Sequence, residues 1–490
     1  FTAWFALVPL LWGIDREACV RRSFVLGWLF GNVFFFSTCW WLTFAPITYA
    51  GFPAPLAYFL LFCVTSVAAI FPGIFAAATA FLLNRFGSTA FLAAPFLWVF
   101  TEFLRYWLTG NNWNAVGYSA AFHSGSGLKL AAIGGVYLTS FLFVVVNAFC
   151  VWIFASRRST NAIRSVIIGA IALLSAVIFF VGFVSGDRET GSGSALTDPT
   201  KTPATIIAIQ PYVPMAGLTY EKWQQLRQKH VELAESAIQK LPTDHRDQIT
   251  VIFPESPMNF MYDDDPETKE FIDAFATRHG VSVLFNSAEP DKSNGKFFNS
   301  AVLVGPEGKE VAQYDKIYLL PFGEAVPFPL EGLLPGFVGN FSYGREYDLL
   351  TIGEAKAGVM ICFESHFGQL SRRYVQDGAD VIIEMTNDGY LGPTPVLRQH
   401  LANAVFRAVE TNRPVMRVTN VGVTAYISER GEVLDAAEPY TVATRVWNVS
   451  KSHGSHTFYV KYGDWLAWLC SFITLGLLIF GWLRRLELRK

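Results

Sequence analysis

Hydrophobic and polar positions divide this chain into two kinds of sequence. Long apolar runs cover residues 1–14, 23–47, 55–86, 89–110, 128–156 and 162–185, and a last one lies at 464–483. Most reach the ~20 residues that a helix needs to cross a bilayer. Between residues 204 and 455 the pattern changes to short apolar stretches separated by mixed, amphipathic ones. Residues 204–210, 249–253, 281–285, 299–304, 357–361 and 380–385 read as strands; 220–241, 271–276 and a segment near 367–377 have helical spacing. Alternating strands and helices predict a layered α/β fold. The Gly/Ser/Thr/Pro-containing stretch 187–203 reads as a linker. The expected organisation is a helical membrane bundle at 1–186, a linker at 187–203, an α/β domain at 204–455, and a final transmembrane helix with a basic tail at 456–490.

Composition sharpens this division. With 52% hydrophobic residues, only 16% charged and a mean hydropathy of +0.32 over 490 residues, the chain is more apolar than soluble proteins and calls for several membrane spans. A formal net charge of −2 leaves no basic excess to neutralise phosphates, which argues against nucleic acid as a partner. Cys19, Cys39, Cys63, Cys150 and Cys470 lie in or beside apolar segments, leaving Cys362 alone in the polar part. That distribution disfavours a disulfide framework and suits a solitary nucleophile. Neither a phosphate-binding Gly-Lys loop nor a zinc motif occurs, so no cofactor or metal is expected.

Arginines in alternate short loops (Arg16, Arg21 and Arg22; Arg85; Arg157, Arg158 and Arg164; then Arg484, Arg485, Arg489 and Lys490) place those loops in the cytoplasm by the positive-inside rule. Counting alternately puts the long polar segment, and residue 1, on the other side. The first run is short and lacks an initiator Met, so the chain is expected to begin inside or just before a span. Without a positive n-region it does not read as a secretory signal. One span carries Glu102 and Arg105 at i,i+3, on one helix face; such a membrane ion pair reads as functional or as a packing clamp.

Three polar-domain stretches carry candidate chemistry. Gly358-Val-Met-Ile-Cys362-Phe-Glu364-Ser365 runs a buried strand into a cysteine. Ile249-Thr-Val-Ile-Phe253 ends at Pro254-Glu255-Ser256, and Tyr314-Asp-Lys316-Ile-Tyr-Leu-Leu-Pro-Phe-Gly-Glu324 places a lysine before an apolar turn. Alone, each has a dull explanation: a core cysteine, a solvated strand end, a surface lysine. Together they supply a thiol nucleophile, a base and a positive charge for an oxyanion.

These stretches resemble the nitrilase superfamily, whose members use a Glu-Lys-Cys triad. Leu320-Pro-Phe-Gly-Glu-Ala-Val-Pro327 and Thr386-Asn-Asp-Gly-Tyr-Leu-Gly392 are similar to motifs of its membrane-embedded branch, the apolipoprotein N-acyltransferases. The resemblance implies an α-helical transmembrane bundle plus a nitrilase-like αββα sandwich, with Glu255, Lys316 and Cys362 catalytic. It implies a phospholipid acyl donor and a diacylglyceryl apolipoprotein acceptor. It also implies the bacterial cytoplasmic (inner) membrane, with the catalytic domain on the periplasmic side. One further upstream helix would give the eight spans of that branch. Glu324 and Glu364 are expected to support the triad, one orienting Lys316 and the other beside Cys362 and the incoming amine. Asn299 and Asn387 would supply hydrogen bonds, and the Phe363 N–H would join Lys316 at the oxyanion. His366 and His400 are expected to be structural, because the motif already provides a glutamate base. Residues 112–119 are similar to a family segment near the lipid entrance. The irregular loop 321–348, with Phe337 and Phe341, is expected to meet lipid or acyl chains, core packing being the alternative. A membrane-tethered amidase with the same triad, and a transporter or receptor with an inert sensor domain, remain as other readings.

Overall fold

The computed structural model describes residues 2–17, 19–122, 126–156, 204–258, 260–326, 340–452 and 454–487. The apolar run 162–185, the linker 187–203 and Phe337 lie outside them. The chain forms two compact units, residues 1–191 with 462–490, and residues 192–461.

The first unit is helical: α1 (Val8–Glu17), α2 (Val20–Thr38), α3 (Ala54–Ala68), α4 (Ile70–Phe86), α5 (Ala94–Thr109), α6 (Ala131–Ser156) and a C-terminal helix Trp465–Glu487. Among the described residues, Ala54–Thr109, Ala131–Ala155 and Trp465–Arg484 are long and apolar enough to cross a membrane. Val20–Thr38 with Trp40–Thr48, bent by 61°, makes a fourth candidate. The stretch Ala54–Thr109 is not one rod. Gly87 breaks it at φ 61°, and the Phe75 and Trp98 rings meet edge to face at 5.0 Å, where a straight helix would hold them about 35 Å apart.

Small and polar residues bring these helices together, since apolar burial alone gives little preference for protein over lipid. Gly27 and Gly31 of α2 lie against Pro72, Ala76 and Ala69. Asn147 of α6 accepts from Leu7 N at 2.9 Å and donates to Ala3 O at 2.9 Å. Glu102 and Arg105 are both buried, but each bonds elsewhere instead of pairing with the other. The Glu102 carboxylate accepts from Trp98 Nε1 at 2.8 Å and Val116 N at 2.9 Å. Arg105 donates to Trp113 O at 2.9 Å and lies over the Phe35 ring. The connection after α5 offers backbone partners that a bare i,i+3 pair would lack, and the two charges pin it.

The second unit is built from two six-stranded sheets. β1 (Ala204–Gln210), β2 (Ile249–Ile252), β3 (Ser282–Asp291), β4 (Lys296–Val304) and β5 (Glu310–Asp315) line up in order, and the last strand of the unit, Ala443–Val449, adds antiparallel to β1. The other sheet runs through β6 (Leu349–Ile352), β7 (Ala355–Ile361), β8 (Val381–Thr386), β9 (Val415–Thr419), β10 (Ala425–Ile427) and β11 (Val433–Leu434). Each sheet has the same internal order of directions: one antiparallel pair, two parallel pairs, two antiparallel pairs.

Helices α7 (Tyr220–Ile238) and α8 (Pro266–His279) cross over the parallel strands of the first sheet, and α9 (Gly368–Gln376) and α10 (Val396–Thr411) those of the second. β1, β2, β8 and β9 are buried at every position, as a parallel sheet covered on both faces requires. Side chains tie the sheets: Thr419 Oγ1 meets Gln210 Oε1 at 3.2 Å. This is the expected αββα sandwich. β5, β6, the strands from β9 onward and helix α10 have no counterpart in the elements read from the pattern.

The α2–α4 contact yields a test. A Cβ on Gly27 would lie 2.4 Å from Pro72 O and 2.6 Å from Ala76 Cβ, whereas one on Gly476 meets nothing within 4 Å. Gly27→Val should destabilise the purified protein by about 1–3 kcal/mol, and Gly476→Ala should not. Equal thermal unfolding of the two in detergent would mean that α2 and α4 do not pack in this way.

Candidate active site

Parallel α/β sheets expose the carboxyl ends of their strands to ligands, and the candidate residues stand at such ends. Glu255 follows β2 by way of Phe253 and Pro254. Lys316 follows β5, which is antiparallel to β4 as β4 is to β3, so β5 points the same way as β2 and β3. Cys362 is the first residue after β7 and opens a short 3₁₀ turn, Cys362–His366. Its φ of 53° is left-handed, a conformation that costs a non-glycine residue free energy and persists only where its surroundings hold it. Strand into sharp turn is the way a fold presents a nucleophile.

The three side chains come together. Lys316 is 1% exposed and its Nζ lies 2.8 Å from both carboxylate oxygens of Glu324. Asn299 bridges two carboxylates, donating to Glu324 Oε1 at 2.6 Å and Glu255 Oε1 at 3.2 Å. Asn387 reaches Glu255 through its backbone, N to Oε2 at 3.1 Å; its side chain is occupied by Gly389 N, Asn420 and Met215. Glu255 and Lys316 both lie close enough to the Cys362 thiol to act on its charge.

Burial and charge set the protonation of this group. Burial depresses Lys316, but the Glu324 and Glu255 carboxylates outweigh it and hold the ammonium above its ordinary range. Burial raises Glu255; Lys316 pulls it back, Glu324 adds to the rise, and the net is upward. Burial pushes the Cys362 thiol well up, Glu255 adds to it, and Lys316 offsets part. At rest the site therefore holds a protonated thiol and a permanent cation beside the Glu255 carboxyl group.

Glu364 is committed to one phenol and three backbone donors. Fully buried, its Oε1 accepts from Tyr314 OH at 2.8 Å, Ile317 N at 2.7 Å and Tyr318 N at 3.0 Å, and its Oε2 from Ile361 N at 2.9 Å. Those bonds fasten the lysine segment to the strand that ends in the cysteine. Phe363 is buried, stacked on His366. Phe341 is half-buried, with its N donating to Glu324 O at 3.3 Å.

A second charged group escaped the sequence reading. Glu384 of β8 and Arg417 of β9 are register partners, joined at 2.5 Å, and Arg417 also holds Asp388 at 2.8 Å. The available signal was a lone charge at the centre of each of two apolar strands, Val381-Ile-Ile-Glu384-Met-Thr386 and Val415-Met-Arg417-Val-Thr419.

The fold and the site define the class. Residues 205–448 match the carbon-nitrogen hydrolase family, and the second unit is a nitrilase-like domain. A carbon-nitrogen hydrolase structure from Helicobacter pylori G27 aligns with TM-score 0.40 and 17% identity over 51% of this chain and 89% of that one. Residues 1–149 match the apolipoprotein N-acyltransferase N-terminal domain. The apolipoprotein N-acyltransferase of Geobacter metallireducens is 30% identical over 487 residues, 96% of this chain and 88% of the relative. That of Thermotoga maritima is 28% identical over 95% of this chain and 86% of the relative. The chain belongs to the apolipoprotein N-acyltransferase family.

The raised thiol predicts a pH profile. Alkylation of Cys362 by iodoacetamide in the free protein should be slower at pH 7 than that of glutathione. It should still climb beyond the ordinary thiol range of about 8.5–9. A plateau near pH 7 would reveal a preformed thiolate and overturn the charge assignment above.

Proposed function

We propose that this protein moves an acyl chain from a phospholipid, through a thioester on Cys362, to the N-terminal amine of a diacylglyceryl-cysteine apolipoprotein. The observation that carries the reading is the meeting of a buried lysine, a carboxylate and a strand-end thiol in a chain whose relatives are named apolipoprotein N-acyltransferases. Glu255 takes the thiol proton as Sγ attacks the ester carbonyl. Lys316 and the Phe363 N–H stabilise the oxyanion. Collapse breaks the carbon–oxygen ester bond, and the proton on Glu255 passes to the leaving lysophospholipid. The acceptor amine then attacks the thioester carbonyl and gives its proton to Glu255. The second collapse expels Cys362, which recovers that proton. The cycle is ping-pong. Glu324 keeps Lys316 charged and in place, and Asn299 holds both carboxylates. The apolar loop around Phe337 and Phe341 is assigned to the acyl chain. The catalytic unit is assigned to the periplasmic side of the bacterial inner membrane.

Full-length protein supplied with acyl-labelled phospholipid and a synthetic diacylated lipopeptide should label the peptide amine. Release of free fatty acid with an unlabelled peptide would instead identify a membrane-tethered amidase-type hydrolase. Cys362→Ala should form no covalent acyl adduct while keeping its fold. Lys316→Arg should lose about 10²–10³ in rate, because a planar fork does not replace a compact ammonium; near-normal turnover would make Lys316 structural.

A further inference from the structure

The carbonyl of Cys362 is held by a buried assembly that the reaction itself does not use. His400 of α10 places Nε2 3.1 Å from Cys362 O and 3.2 Å from Glu384 Oε1, and Nδ1 2.7 Å from Asp388 Oδ1. A carbonyl oxygen only accepts, so Nε2 carries a proton. Asp388 already receives Arg417 on its other oxygen, so Nδ1 carries one as well. The ring is an imidazolium. Burial and the neighbouring Arg417, 3.3 Å from Nδ1, lower its pKa, yet Asp388 and Glu384 outweigh them and raise it to about 9. Glu384, Asp388, His400 and Arg417 are each at most 4% exposed, and their formal charges cancel. The turn beyond is held in the same manner: Arg407, paired with Glu410 at 2.6 Å, donates to His366 O at 3.1 Å.

We propose that His400 is a positioning residue for the oxyanion site, its Nε2–H fixing the peptide that joins Cys362 to Phe363. The inference rests on the thioester reading above, in which the Phe363 N–H receives the oxyanion. That N–H and the Cys362 carbonyl belong to one planar unit, so a bond to the oxygen sets the direction of the hydrogen. The left-handed Cys362 would otherwise relax toward commoner angles and swing the plane away. A charged donor on the carbonyl also polarises the amide and strengthens its N–H as a donor. The Glu384–Arg417 pair and Asp388 keep the ring charged and immobile.

The test compares two reactions of Cys362 in the full-length protein. Iodoacetamide alkylates by direct displacement and forms no oxyanion; a p-nitrophenyl acyl ester acylates through one. His400→Leu removes the donor. His400→Gln with Asp388→Asn keeps a donor and keeps the buried charges balanced. The expected result is a loss of about 10²-fold in acylation for His400→Leu, the scale of a misplaced reacting group. Alkylation should be far less affected, and acylation should partly recover in the double variant. Parallel loss of both reactions would make His400 a fold residue and overturn the proposal. So would unchanged acylation, or no recovery in the double variant. Failure of the wild type to acylate Cys362 while still alkylating it would overturn the thioester reading itself, whatever the variants did.

Discussion

A carboxylate withdrawn from water needs donors for its lone pairs, and Glu364 draws four from separate places in the chain. Tyr314 belongs to the end of β5, Ile317 and Tyr318 follow the lysine, and Ile361 closes β7. Each donor left unmet in a dry interior would cost about 1–3 kcal/mol, so the four bonds form together or not at all. Their joint satisfaction fixes the lysine-bearing segment against the cysteine-bearing turn, two stretches that lie on different sheets. With that spacing set, Lys316 reaches Glu324 and Glu255 sits beside the thiol. Burial drives Glu364 up to about 7 despite its donors and the nearby Lys316, a measure of how dry this junction is.

Two buried charge groups flank the nucleophile and share one strand end. Asn387 donates its N–H to Glu255, and Asp388 joins Arg417 and His400. The two residues that follow β8 thus hold Glu255 and the balanced cluster. Buried ion pairs are poor stabilisers in themselves, because desolvation consumes most of the Coulomb gain. What they give here is geometry: each charge is committed to named partners within the cluster.

How much of this the sequence declares follows from the same physics. Glu255, Lys316 and Cys362 stand where a hydrophobic run stops, and such boundaries are visible in the alternation of residue types. Glu384 and Arg417 interrupt apolar strands in mid-run and make sense only in pairs. Their pairing depends on the register of β8 against β9, which no local pattern carries. β9 went unread for that reason, its central arginine masking a fully buried strand. β5 and β6 are short and partly exposed, so they lack a continuous apolar run, and α10 spends buried positions on His400, Asn403, Arg407 and Glu410. Glu364 was legible as a residue of interest but not as a clamp, since its donors come from 46 to 50 residues away as well as from the strand just before it. In the first unit, apolar run length and the break between the runs 55–86 and 89–110, at Gly87, were readable, whereas the separate partners of Glu102 and Arg105 required coordinates.

The triad alone does not distinguish a hydrolase from a transferase. Both would form the same thioester, and they part only when water or an amine attacks it. An amine acceptor must arrive deprotonated or lose its proton in place, and Glu255, raised by burial yet anchored through both oxygens, is suited to receive it. Water needs no delivery, so transfer prevails only if the acceptor is brought close and held in line. A donor phospholipid and a lipid-anchored acceptor share a bilayer, and membership in the same sheet of lipid raises their local concentration without further contacts. In the proposed cycle the thioester forms in the second unit, which matches the carbon–nitrogen hydrolase family. The first unit contributes helices long and apolar enough to cross a membrane, and under the proposed function it is there that a lipid-anchored acceptor outcompetes water.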